Sequence, residues 1–343
     1  MWVASSSCAI RYPDGLSRQP PALESQGHRG PNLGTSPRKD RRRFGIGEWY
    51  GRLFTNLAPD ERMSYAEAQF RTQRPSYACP FQSTPLGPAP CSKAGGVCTL
   101  RQYVQTANSG QATPANGSEG TLRTVCPKRF EEGGTVFRWV GETLLSCTNP
   151  AVIHEVGFLS SLSDGDDGSD DVGRIDEVLV VPDSEPLSWC ALEVQAVYFQ
   201  GSGMAGEFRA IVEDGGSQVL FPVGLRRPDY RSSGPKRLMP QLQIKVPSLR
   251  RWGRKMAVVV DRSFFAALAP MDRVRHVSNC DIAWFVVGYE ERDGRAVLVP
   301  HDVYLTTLER AVEGLTAGVP VSLDVFENRI REKLAKAGHQ TAR

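Results

Sequence analysis

Over residues 173–180 and again over 189–199 the chain is apolar enough for a pair of strands, yet both runs carry polar groups among the apolar ones. Side chains alternate faces along a strand, so Glu193, Gln195 and Val197 share one face while Leu192, Val194, Ala196 and Tyr198 share the other. The turn-forming run 182–186 links the two strands antiparallel. That hairpin brings Asp176 beside Glu193, and two carboxylates on one face suit a hard divalent cation with oxygen ligands, an arrangement fit for phosphodiester hydrolysis.

The same reading predicts further strands at 208–212, 256–260 and 282–289, and helices over 64–70, 137–145, 303–313 and 323–337. Residues 153–159 either extend the helical layer or form a short strand. Residues 79–126 are rich in turn formers, with little that could pack by itself. The acidic run 163–171 lacks the regular ligand positions and closing Glu of a calcium loop, and reads as a solvated insertion. The first 43 residues, rich in Ser, Pro, Gly and Arg without apolar periodicity, are expected to be a disordered tail. Order is expected to begin at 44–51, where glycines alternate with large side chains. There is no internal repeat.

Composition adds limits. A chain of 343 residues with 40% hydrophobic content can bury one large core or two modest ones. No apolar run of about 18 residues and no leader pattern is found, which predicts a cytoplasmic protein without a membrane partner. The net charge of +3 conceals an uneven distribution: residues 226–255 carry ten basic side chains against Asp229 alone. A basic segment inside an otherwise acidic molecule favours a polyanionic partner such as nucleic acid, and Tyr230, Leu238, Leu242, Ile244, Leu249 and Trp252 within it indicate that it is folded.

Eight cysteines are too sparse for a disulfide scaffold. Four of them, Cys79, Cys91, Cys98 and Cys126, fall in the turn-rich region, three beside proline. Four thiolates suit a closed tetrahedral centre, zinc by default and iron as the alternative, with a structural role in a segment that lacks a core. Unrelated free thiols are the competing reading. Cys147, Cys190 and Cys280 are isolated and read as small buried residues.

Taken together, residues 44–51, 91–98, 126–130, 173–176, 191–199 and 227–238 resemble the NotI family of type II restriction endonucleases, and several spaced blocks in the same order are more specific than any one of them. The resemblance implies an α/β (α+β) fold: a PD-(D/E)xK nuclease core, in which a mixed β-sheet is flanked by helices, plus a small four-cysteine metal-binding insertion. On this basis residues 1–43 are the tail, 44–130 an N-terminal region holding the cysteine site, and 131–343 the nuclease and DNA-recognition domain. It also implies Mg²⁺-dependent cleavage of double-stranded DNA at a GC-rich palindrome by a homodimer, iron in the cysteine site, and a companion DNA methyltransferase in the host. Residue by residue, Asp176 matches the metal-binding aspartate, Glu193 the second carboxylate, and Gln195 the position where most nucleases of this fold hold lysine. Glu155 is a candidate third acid. Arg226, Arg227, Arg231, Lys236, Arg237, Gln241 and Lys245 are then the candidate DNA contacts. Two rival classes remain at this point: a sequence-specific DNA-binding protein with an inactive nuclease centre, and an iron–sulfur redox protein suggested by the cysteines alone.

Overall fold

The computed structural model describes residues 41–72, 77–84, 87–105, 111–160, 171–316 and 321–337. Most of the expected disordered tail and nearly all of the acidic insertion therefore lie outside the described residues. Along the chain run β1 (Arg42–Trp49), β2 (Arg52–Leu53), α1 (Pro59–Ala68), β3 (Ala78–Thr84), β4 (Gly87–Pro90), β5 (Val97–Gln105), β6 (Ala112–Pro114), β7 (Arg123–Thr124) and α2 (Thr135–Leu145). There follow β8 (Ala151–Ser160), β9 (Asp171–Val181), β10 (Ser188–Val194), β11 (Phe199–Gly201), α3 (Ala205–Glu213), β12 (Arg226–Pro228), α4 (Tyr230–Ser233) and α5 (Met239–Arg251). The last elements are β13 (Met256–Asp261), α6 (Arg262–Ala266), β14 (Ile282–Arg292), β15 (Arg295–Thr306), α7 (Leu308–Thr316) and α8 (Leu323–Ala337).

Two sheets organise these elements. The larger has the order β15-β14-β13-β10-β9-β8. Its centre is parallel, β10 with β13 and β13 with β14, and its flanks are antiparallel. Every residue of β13 is buried, because both faces of the sheet are covered and a central strand must then be apolar throughout. One face packs against α5 and α7 through Leu242, Val246, Leu249, Ala311 and Leu315; the other packs against Val136 and Val140 of α2. The smaller sheet has the order β2-β1-β5-β6, with β7 also paired to β5, and encloses a core with Trp49, Tyr103 and Phe208.

Asp261 ties the two sheets at one point. Its Oδ1 accepts from Phe264 N (2.8 Å) to cap α6, while its Oδ2 accepts from Thr124 N (2.7 Å) on β7.

Several elements differ from the sequence reading. Residues 208–212 lie in helix α3, not in a strand; Glu207, Phe208 and Ile211 form its buried stripe, and a five-residue apolar run alone cannot separate the two periods. The helix expected from 303 starts at Leu308, because Val303 to Thr306 continue β15 in register with β14. Residues 153–159 take the strand alternative, within β8. The turn-rich stretch supplies β5, which pairs with β1 along most of its length, so it acquires its core from residues before and after it. Strands at 256–260 and 282–289, and helices over 137–145 and 323–337, fall where the pattern puts them. Among the described residues no helix is long and apolar enough to cross a membrane.

Candidate active site

Strands β9 and β10 pair antiparallel, with Leu192 opposite Glu177 and Ala191 opposite Val178. One step further along the same register, Glu193 stands opposite Asp176. The face they share follows from their neighbours: Ala191 and Val178 pack with the α5 side of the core, whereas Leu192 and Leu179 pack with the α2 side. Two residues on from each, Glu193 and Asp176 therefore face α5.

Helix α5 meets them with a cation. Lys245 is only 2% exposed, its Nζ donates to Glu193 Oε2 at 2.8 Å, and it lies 3.6 Å from Asp176 Oδ1. The Glu193 side chain is 9% exposed and that of Asp176 61%, so the cluster has a closed side and an open one. Burial pushes the Glu193 carboxyl up to about 7; the Lys245 ammonium opposes this and Asp176 adds to it.

The other candidates lie close by but are engaged differently. Gln195 follows β10; its N–H donates to Val259 O (2.9 Å) and its Nε2 to Ala196 O (2.6 Å). Glu155 on β8 is level with Asp176, since His154 pairs with Glu177 and Val156 with Ile175, but its side chain is 74% exposed and pairs with Arg174 at 3.4 Å. A further acid, Glu177, sits on the opposite face of β9. Burial, helped by Glu131, pushes its carboxyl up to about 7, Lys128 opposes this, and its Oε2 is buried without a hydrogen-bond partner.

The basic segment divides by accessibility. Arg227, Arg231, Lys236, Arg237 and Gln241 are exposed, with the Arg237 guanidinium over the Tyr198 ring at 4.4 Å. Arg226 and Lys245 are not on the surface. Arg226 donates to Glu207 Oε1 (2.7 Å), Gly203 O (2.7 Å) and Phe44 O (3.2 Å), which locks β12 onto β1 and α3, so its charge is already compensated inside the fold. Charge alone groups Lys245 with the DNA contacts. A finer signal was present: Leu238, Leu242, Lys245, Val246 and Leu249 follow the spacing of one helical face, which places this lysine on the buried stripe of α5.

The four cysteines of the N-terminal region converge. Cys79 and Cys98 share a small buried cluster with Phe81, against which Cys91 packs, and Cys126 N donates to Cys98 O at 3.2 Å. Burial pushes the thiols of Cys91, Cys98 and Cys126 up. All are free thiols, and among the described residues no group of three or more His, Cys, Asp or Glu is drawn in tightly enough to form a coordination shell.

Comparison with known families gives this arrangement a class. The chain matches the restriction endonucleases, nucleases that cut DNA at specific sites. The matching family model is that of restriction endonuclease NotI and runs over residues 63–297, more than half of the chain, so the protein belongs to the NotI family. No individual curated protein matches it.

Proposed function

We propose that this protein is a type II restriction endonuclease making Mg²⁺-dependent double-strand cuts at a GC-rich palindromic site. The observation that carries the chemistry is the facing pair Asp176 and Glu193, on adjacent strands at the open edge of a buried cluster. Magnesium is commonly held by one or two carboxylates, with water and substrate phosphate completing its shell. The pair fits that demand: one oxygen donor set is buried, the other is open to solvent, and the crowding of two carboxylates is relieved by a cation. When bound, the ion supplies charge neutralisation at the phosphate and a bound water of lowered pKa.

The residues then divide the work. Asp176, being open, meets the DNA backbone, while Glu193 is held from behind by Lys245. A water adds to phosphorus as a P–O ester bond breaks, and the departing oxygen takes up a proton. Gln195 cannot accept that water's proton, so the proton leaves to a phosphate oxygen or to solvent, while the amide serves to orient the water. In this reading Glu155, exposed and beside Asp176 across the β8–β9 pair, supports a second ion.

Arg227, Arg231, Lys236 and Arg237 supply phosphate contacts, and Gln241 on α5, exposed as they are, reads a base edge. A palindromic target is matched by a two-fold protein, hence a homodimer, and a cutting enzyme of this kind requires a methyltransferase to protect the host. The four-cysteine region suits zinc or iron in that its donors are uniformly soft and lie in one neighbourhood of the fold. Free thiols throughout the described residues suit a cytoplasmic setting.

Digestion of a sequenced GC-rich genome in Mg²⁺, followed by end mapping, tests the reading. Discrete fragments sharing one terminal sequence are expected. A gel shift without fragments would favour an inactive DNA-binding protein instead.

A further inference from the structure

We propose that Lys245 is the positioning cation of the cleavage site: helix α5, rather than strand β10, delivers the ammonium that holds Glu193 beside Asp176. The proposal rests on the nuclease reading above and deepens it. Burying a lysine is strongly unfavourable unless a carboxylate meets it, and here Nζ bridges both members of the pair, 2.8 Å from Glu193 Oε2 and 3.6 Å from Asp176 Oδ1. The fold alone does not call for a charge at this position. Leu242, Val246 and Leu249 surround it on α5, and an aliphatic side chain would continue their stripe.

The strand offers no substitute. Gln195 carries no charge, and its Nε2 is spent on Ala196 O at 2.6 Å. The position two residues after Glu193 is therefore filled by a neutral group whose NH2 is turned to the backbone. Lys245 reaches the same carboxylate from the opposite layer. At 2% exposure it is also withdrawn from the surface on which phosphates would lie, and Asp176, the open member of the pair, stands on its solvent side. Gln241, one turn earlier on α5, is exposed, so one rigid element carries both a surface group suited to DNA and the buried cation. Lys245 acts through Glu193: its Nζ holds Oε2 and so fixes the orientation of the carboxylate beside Asp176.

Full-length Lys245→Met and Lys245→Gln, with Asp176→Asn as control, test this. DNA affinity and its salt dependence are measured in EDTA, and single-turnover cleavage in Mg²⁺. Both lysine variants are expected to bind DNA within about twofold of the parent with an unchanged salt slope, and to cleave about 10- to 100-fold more slowly, the usual range for losing the partner that orients a metal-binding carboxylate. A rise in Kd of about tenfold with a salt slope lower by about 0.9 would make Lys245 a phosphate contact and overturn the proposal. Cleavage at the parental rate would overturn it too. If the parent cuts and Asp176→Asn does not, that result leaves the nuclease reading standing; if the parent itself never cuts, the nuclease reading fails first. Should methionine beside an unpaired Glu193 prevent folding, the double variant Glu193→Gln/Lys245→Met removes both charges. It is expected to bind DNA as the parent does, and loss of binding in a folded double variant counts against the proposal.

Discussion

Arg129 with Glu48 and Lys245 with Glu193 are both buried cation–glutamate pairs, yet they are finished differently. Arg129 is wholly buried, and its donors are spent on Glu48 (2.9 and 3.2 Å), Glu132 Oε2 (2.8 Å) and Ala296 O (2.9 Å). Its guanidinium is flanked by the rings of Phe81 and Tyr289. That cluster joins β1 of the smaller sheet to β15 of the larger one, and neither member of the Arg129–Glu48 pair faces water. The Lys245 cluster has the same chemistry at its base, but its second carboxylate, Asp176, is mostly exposed. A sealed ion pair fixes the arrangement of two layers; an ion pair with one open carboxylate retains a place for a ligand. What separates them is the completeness of the partners, since a low-dielectric site turns any remaining charge into a demand for a counter-ion.

Breaking each cluster should therefore give different symptoms. The largest effect belongs to the open one: Asp176→Asn should lower single-turnover cleavage by about 10³-fold or more, equivalent to about 4 kcal/mol, with the urea-unfolding midpoint nearly unchanged. Retained cutting by the purified variant would remove Asp176 from the site. Next, Arg129→Met should cost about 3–5 kcal/mol in urea unfolding, because Glu48 is left buried without its cation, and any loss of activity should follow loss of fold. An unchanged midpoint would show that the sealed cluster is not what joins the sheets.

The third test sharpens the boundary between the clusters. Glu177 lies beneath the site with its carboxyl pushed up to about 7, from 4.5. A raised folded-state pKa means that the stability this group contributes is fully present below about pH 4.5 and is lost as pH rises through about 7. Glu177→Gln should remove that loss, making the chain about 3 kcal/mol more stable than the parent above pH 7 in EDTA and little different at pH 4. Parallel pH curves for the two proteins would mean that Glu177 is ionised and satisfied in the fold. The smallest effect is expected at the surface. Arg237→Ala should weaken DNA binding by about 1 kcal/mol and reduce the salt slope by about 0.9, whereas Arg226→Ala, which breaks an internal pair, should shift the melting temperature instead.

Much of the candidate site was legible in two short segments. Asp176 and Glu193 sit in strands joined by a tight turn, so strand periodicity and loop length together fix their register and common face. The central strands at 256–260 and 282–289 were legible for a related reason: a strand covered on both faces is apolar throughout. Residues 208–212 read as a strand in the sequence because Phe208 and Ile211 lie too few residues apart for the helical period to declare itself. The place of Lys245 is not legible in the charge count, because ten basic residues in thirty suggest a surface and that count is blind to which of them lies on the buried stripe of α5.

The sequence by itself determined the strand pair, the facing of its two acids, the neutral Gln195 after them and membership of the NotI family, because each of these is local or rests on ordered blocks of residues. Only the tertiary structure decided which cation meets Glu193, why Arg226 is withdrawn from the surface, and how the cysteine-bearing strands find a core. Those outcomes depend on contacts between residues far apart along the chain, 52 positions for Lys245 and Glu193 and 182 for Arg226 and Phe44. Packing, rather than composition, sets whether a charge is left facing water or must be neutralised inside.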